Sequence, residues 1–231
     1  MKLGLKYFLI LAITFCVLIL TFLSVRSQKH PAKISSPKVS TKLNTLREPL
    51  VIMLQPLGNV SASKIKFIQS EVKEFYKADL VLLGKNVPLP KMAWYEPRKR
   101  YVADSLLIFL GKKKPDAAKF ILGITDKDIA TQKGTNPNYG IMGLGYCPGP
   151  TCVVSTSRLH KKIQSTKKGE IEKIFLERFS KVCLHELGHN FGLEHCSVND
   201  SCFMNDADGT IAQVDKERKY ICPMCSAKIF R

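Results

Sequence analysis

The chain has 231 residues, 45% of them hydrophobic, enough to bury one core in one domain once the ends are discounted. Its formal net charge of +17, with a pI near 9.6, suits nucleic acid, an anionic membrane surface or the steering of acidic substrates. The lysines, however, are scattered through the stretch after residue 26, GKKKP, HKKIQSTKK and the C-terminus. No basic stripe interleaved with base-stacking aromatics is present, which argues against nucleic acid as a partner and leaves most of the charge as solvated surface beside an anionic bilayer.

From Tyr7 to Val25 runs YFLILAITFCVLILTFLSV, uncharged, with Lys2 and Lys6 before it and Arg26 and Lys29 after. Its length is near that of a transmembrane helix, so residues 1–26 are predicted to be an N-terminal membrane anchor. A cleaved signal sequence is the alternative, with Val25-Arg26-Ser27 the one tolerable cleavage site. Cys16 follows Phe15 outside a convincing lipoprotein box and reads as a small lipid-facing residue. A short basic head before an apolar run is what secretion machinery reads, which places the rest of a single-pass chain on the extracytoplasmic side. Arg26, Lys29, Lys33, Lys38 and Lys42 argue instead for the cytoplasmic face by positive-inside counting, and signal cleavage would release a secreted protein. Residues 27–48, poor in large apolar side chains and rich in Lys, Ser and Pro, read as a flexible basic linker.

The folded domain is predicted over 49–231. LVIML reads as a strand, SASKIKFIQSEVKEFYKA as a helix begun by a Ser cap, DLVLL as a strand and RKRYVADSLLIFLG as a second helix. FILGIT, YGIMGLG and TCVVSTS follow as strand candidates. In GEIEKIFLERFSKVCLHELGHNFG, the residues Ile171, Ile174, Phe175, Phe179, Val182 and Leu187 recur near a helical period, so one face packs on the sheet while the histidines show elsewhere. The fold class is α/β with a mixed twisted sheet.

The chemistry concentrates in CLHELGHNFGLEHC, where three of the chain's five histidines fall at His185, His189 and His195. On a helix, residues i and i+4 share a face, so His185 and His189 can offer ring nitrogens to one zinc ion with Glu186 beside them. A third ligand, His195, requires the helix to stop and the chain to turn back, and Gly192 sits where glycine tolerates a positive φ. Downstream, Cys196, Cys202, Cys222 and Cys225 form two clusters that read as a second, structural zinc with all four positions filled by thiolates. Cys147 and Cys152 flank a Pro-Gly-Pro turn and are expected either to close a disulfide, which an oxidising compartment favours, or to stay as two buried thiols. Cys183 falls on the apolar side of the histidine helix and reads as core.

This pattern resembles the archaemetzincins, a metzincin-like family of zinc peptidases. Their signature continues from the third histidine through C-x4-C-x-M, seventeen residues and C-x-x-C; here residues 205–221 supply the seventeen. One departure stands out: Cys196 and Cys202 enclose five residues, SVNDS, where the family has four, and such a loop can bulge outward. VIMLQPLGNV, VPLPKMAWYEPRKRY, FILGITDKDI and VVSTSRL also look like family segments in family order, extending the resemblance over about 49–231. It implies a sheet-and-helix N-terminal half, a small irregular zinc-bearing C-terminal subdomain over about 193–231, and a cleft between them. It also implies that Met204 forms the Met-turn beneath the histidines.

The function expected is hydrolysis of peptide bonds in a peptide or protein substrate, with two zinc ions, one catalytic and one structural. Zinc lowers the pKa of a bound water to ~7, and Glu186 takes its proton as general base. The alternative is a membrane-tethered zinc-binding interaction or regulatory module with little or no peptidase activity, which would have no need of Glu186 beside an open coordination position.

Overall fold

Apolar segments that alternate with amphipathic ones after residue 50 build two sheets and five helices in the computed structural model, which describes residues 50–230. In chain order these are β1 (Val51–Leu57), α1 (Ala62–Tyr76), β2 (Asp79–Leu82), β3 (Trp94–Tyr95), β4 (Arg100–Val102), α2 (Ala103–Gly111), β5 (Phe120–Thr125), β6 (Ile129–Lys133) and β7 (Asn136–Ile141). After them come β8 (Gly143–Gly145), β9 (Thr151–Ser155), α3 (Lys168–Asn190), α4 (Ile211–Lys216) and α5 (Pro223–Ile229). The predicted anchor and linker lie outside the described residues. Among the described residues, no helix is long and apolar enough to cross a membrane.

The main sheet has the order β2-β1-β5-β9-β8. Its first four strands are parallel, and β8 runs antiparallel to β9 along the edge. Every residue of β5 and β9 is buried, as expected for central strands covered on both faces. Successive side chains alternate between those faces. Ile52, Leu54, Leu122 and Val154 join the core under α1 and α3, with Ile68, Phe175 and Phe179, whereas Ile121 and Val153 join Leu106, Leu107 and Leu110 of α2. The Ser61 hydroxyl caps α1 by accepting the Lys64 N–H at 3.5 Å, as its sequence implied.

Two elements differ from expectation. The second helix begins at Ala103; the preceding RKRYV is instead a turn and β4, because Tyr101 and Val102 pair with Ile129 and Ala130. That pairing belongs to a second sheet of order β3-β4-β6-β7, formed by strands too short to carry a periodic signal. YGIMGLG is likewise two strands, with Met142 the buried hinge by which the chain leaves β7 in the small sheet and enters β8 in the main one.

From residue 194 to 230 the backbone is mostly irregular, with α4 and α5 the only helices among the described residues there. Buried polar contacts tie this part to α3. Arg178 donates to both carboxylate oxygens of Asp215 at 2.7 Å and to the carbonyls of Leu159 and Lys161, and Lys181 donates to the Glu217 carbonyl at 2.9 Å. The described fold is thus α/β with a mixed sheet and an irregular C-terminal region.

Candidate metal centre and active-site cleft

Helix α3 carries His185, Glu186 and His189 on its last two turns. It ends as the glycine predicted: Gly192 takes φ +91°, its N–H reaches the His189 carbonyl at 2.8 Å, and the Leu193 N–H reaches Gly188 at 3.0 Å. This is the left-handed helix stop that closes orphan carbonyls, and it swings His195 back over α3. Ring centroids then stand 4.6 Å apart for His185–His189, 4.9 Å for His189–His195 and 5.4 Å for His185–His195. One nitrogen from each ring lies within 4.8 Å of the others.

Backbone carbonyls set the tautomers. The Nδ1 of His185 lies 2.7 Å from the Phe203 carbonyl and that of His189 lies 2.6 Å from the Leu193 carbonyl. A carbonyl only accepts, so each Nδ1 carries the proton and each Nε2 keeps its lone pair. Burial, with His189 adjacent, pushes His185 down to about 3, and burial also lowers His189, so both rings stay neutral. The Nδ1 of His195 faces Asp206 at 3.8 Å. Three imidazoles converging beside an open cleft fit a zinc ion with one position left for chemistry.

Glu186 is only 6% exposed, and burial pushes its carboxyl up to about 8. It is seated by two glycines of β8. A Cβ on Gly143 would stand 2.6 Å from its Cγ and 2.7 Å from its Cδ, and one on Gly145 would stand 2.8 Å from its backbone oxygen. Below the histidines, Met204 is fully buried and packs so closely on α3 that a Cβ at Gly188 would meet its Sδ at 2.5 Å. Tyr76 braces the same turn by donating to the Leu184 carbonyl at 2.7 Å.

The four remaining candidate ligands, Cys196, Cys202, Cys222 and Cys225, are buried, with their sulfurs all within 4.8 Å of one another. The Sγ atoms of Cys196 and Cys222 are 3.7 Å apart, against about 3.8 Å for the edge of a tetrahedron with Zn–S near 2.3 Å. The extra residue between Cys196 and Cys202 is taken up at the surface, where Val198 is 57% exposed and Asp200 pairs with Lys216 at 3.0 Å. The sulfurs converge regardless.

Cys147 and Cys152 are free thiols in the structure, Cys152 buried and Cys147 exposed. Pairing of Cys152 with Gly145 across β8 and β9 puts its side chain in the core beneath α3. Cys147, past the end of β8, instead donates to the Leu193 carbonyl at 3.2 Å. Cys183 is buried in the same core, as expected.

A cleft of about 450 Å³ opens in front of the histidines, lined by β8, the β6–β7 hairpin, α3 and the segment 206–217. Several contributors carried no sequence signal. Phe203 and Leu193 act through carbonyls, Gly143 through a missing side chain, and Lys181 and Glu217 meet only in the fold. Two histidines and a carboxylate on the last turns of a helix, a third histidine returned by a glycine turn, and an open groove against an edge strand are an arrangement suited to a metallopeptidase.

Comparison with known proteins agrees. The model of peptidase family M54 matches residues 62–231, and the chain belongs to that family; it is a zinc metallopeptidase of the archaemetzincin kind, a hydrolase. It is 32% identical over 180 residues to an archaemetzincin of Halobacterium salinarum, covering 76% of this chain and 96% of that one. The fold is similar to the crystal structure of archaemetzincin from Methanopyrus kandleri, with a TM-score of 0.65 and 27% identity over 81% of this chain and 97% of that one. It is also similar to the archaemetzincin of Archaeoglobus fulgidus crystallised with malonate, with a TM-score of 0.62 and 27% identity over 78% and 99% of the two chains.

Proposed function

We propose that this chain hydrolyses peptide bonds with Glu186 as general base at a zinc site formed by His185, His189 and His195, and that Cys196, Cys202, Cys222 and Cys225 hold a second, structural zinc. The observation that carries the reading is the seat of Glu186: a buried carboxyl beside the first histidine, held toward the cleft by Gly143. A zinc ion held by His185, His189 and His195 would supply Lewis acidity, which lowers the pKa of water to ~7. Glu186 then accepts the proton of the attacking water and delivers it to the leaving amine nitrogen. The Phe203 and Leu193 carbonyls keep two imidazoles oriented throughout, and Met204 with Gly188 fixes the floor beneath them.

Glu186→Gln tests this, since the amide cannot take the proton. The variant is expected to keep its metal content and melting temperature while peptide hydrolysis falls ~10²-fold or more. A variant that cleaves within about threefold of wild type would remove Glu186 from the proton transfer.

A further inference from the structure

The cleft continues past the histidines along α3, and its far end is built by residues the hydrolytic chemistry leaves unused. Lys181 lies one turn before His185 on the same side of the helix, about 6 Å along the axis. It is 2% exposed, donates to the Glu217 carbonyl at 2.9 Å and pairs with Glu177 at 3.1 Å. Arg178, also 2% exposed, grips Asp215 with two hydrogen bonds of 2.7 Å. Two buried cations thus clamp the end of α4 onto α3 and fix Glu217, the next residue, at the cleft wall.

Glu217 itself is 5% exposed, and its Oε1 accepts one hydrogen bond, from the Gln213 amide at 3.2 Å. Among the described residues no cation pairs with its carboxylate, because Lys181 spends its donors on a carbonyl and on Glu177. A buried carboxylate without a cation is costly. Burial accordingly pushes Glu217 up to about 7, opposed only in part by Gln213 and Lys181. Carboxyl groups outnumber ammonium groups along the rest of the cleft: Glu194, Asp206, Asp208 and Glu217 line it with Lys133 and Lys181, and Lys133 is held by Asp208. A chain of net charge +17 thus lines its cleft with more carboxyl than ammonium groups.

We infer that Glu217 is a specificity-determining residue, and that the cleft end takes a lysine or arginine side chain of the substrate, next to the bond that is cut. The inference rests on the peptidase reading of the histidine site and names its substrate class. Met142, Val182 and Val214 offer apolar wall to an aliphatic stem, and the cationic head supplies the partner that Glu217 lacks. An acidic side chain, which the net charge alone would attract, meets like charge there.

The test uses the full-length, zinc-loaded protein and peptides that differ only in carrying Lys, Arg, norleucine or Glu beside the cleavable bond, on either side of it. Wild type is expected to favour Lys and Arg over norleucine by about tenfold or more in kcat/KM, and Glu217→Gln to bring that ratio within about threefold of unity. Binding of the same peptides to Glu186→Gln, with and without Glu217→Gln, is followed by fluorescence anisotropy and should show the same Glu217-dependent ratio. Cleavage without preference for a basic residue on either side, or a preference that survives Glu217→Gln, overturns the inference and leaves the peptidase reading intact. Peptides that bind with the Glu217-dependent ratio yet are never cut by wild type uphold the inference and defeat the peptidase reading. Absence of both cleavage and Glu217-dependent binding defeats both.

Discussion

Gly143→Ala isolates the placement of Glu186 from everything else in the site. The new Cβ would stand 2.6 Å from Glu186 Cγ and 2.7 Å from its Cδ, and would also press on Oε1, where ordinary contact needs about 3.5–4 Å. The helix backbone that carries Glu186 is anchored by Cys183, Leu184 and Leu187, all fully buried, so side-chain torsions must absorb a displacement of about 1 Å. An error of that size in a reacting group costs roughly 10²-fold in rate. Stability should barely change. Gly143 pairs with Val154 in an extended strand and is not among the glycines with positive φ, so alanine gains about 0.5–1 kcal/mol of backbone entropy against about 0.5–1.5 kcal/mol for a torsion forced off its minimum. The expected variant therefore melts within a few degrees of wild type, carries the same metal by inductively coupled plasma mass spectrometry, and shows kcat/KM on a cleavable peptide about a hundredfold lower. Activity within threefold of wild type would show that the carboxylate is not needed where it sits; loss of metal or of the fold would show that the clash is not confined to Glu186.

The cysteine and histidine sites should separate by substitution. Cys222→Ser with Cys225→Ser is expected to lose one zinc and at least about 3–5 kcal/mol of stability in urea unfolding, since structural metal binding is folding free energy, whereas His195→Ala should lose the other zinc and keep most of the fold; folded wild type holding one zinc per chain would reject the second site. Glu217 predicts a pH dependence: its folded pKa is raised from 4.5 to about 7, so the stability it supplies is fully present below about 4.5 and is lost as pH rises through 7. The whole shift corresponds to about 3 kcal/mol, reduced to about 1–2 kcal/mol by screening across the cleft. Glu217→Gln should flatten that part of the stability profile, and an unchanged slope would deny that the carboxylate is buried unpaired.

The sequence alone determined those features that rest on local backbone geometry and ligand chemistry. A 3.6-residue turn puts His185 and His189 on one face wherever α3 docks, Gly192 permits the turn that returns His195, and four cysteines carry the softness that zinc prefers whatever loop joins them. Strands such as FILGIT and TCVVSTS were legible because central parallel strands are apolar on both faces. Tertiary structure decided what depends on residues meeting from far along the chain. RKRYV reads helical by itself and becomes β4 only because Tyr101 finds Ile129. Cys147 and Cys152 lie five residues apart, yet the β8–β9 register sends one thiol into the core and leaves the other at the cleft. The carbonyls that orient His185 and His189 belong to Phe203 and Leu193, and a carbonyl is common to every residue, so no spacing marks it. Glu217 faces the cleft because Lys181, 36 residues earlier, grips its backbone; chain folding, which makes that distance irrelevant, is what gives a scattered basic sequence a cleft lined with carboxyl groups.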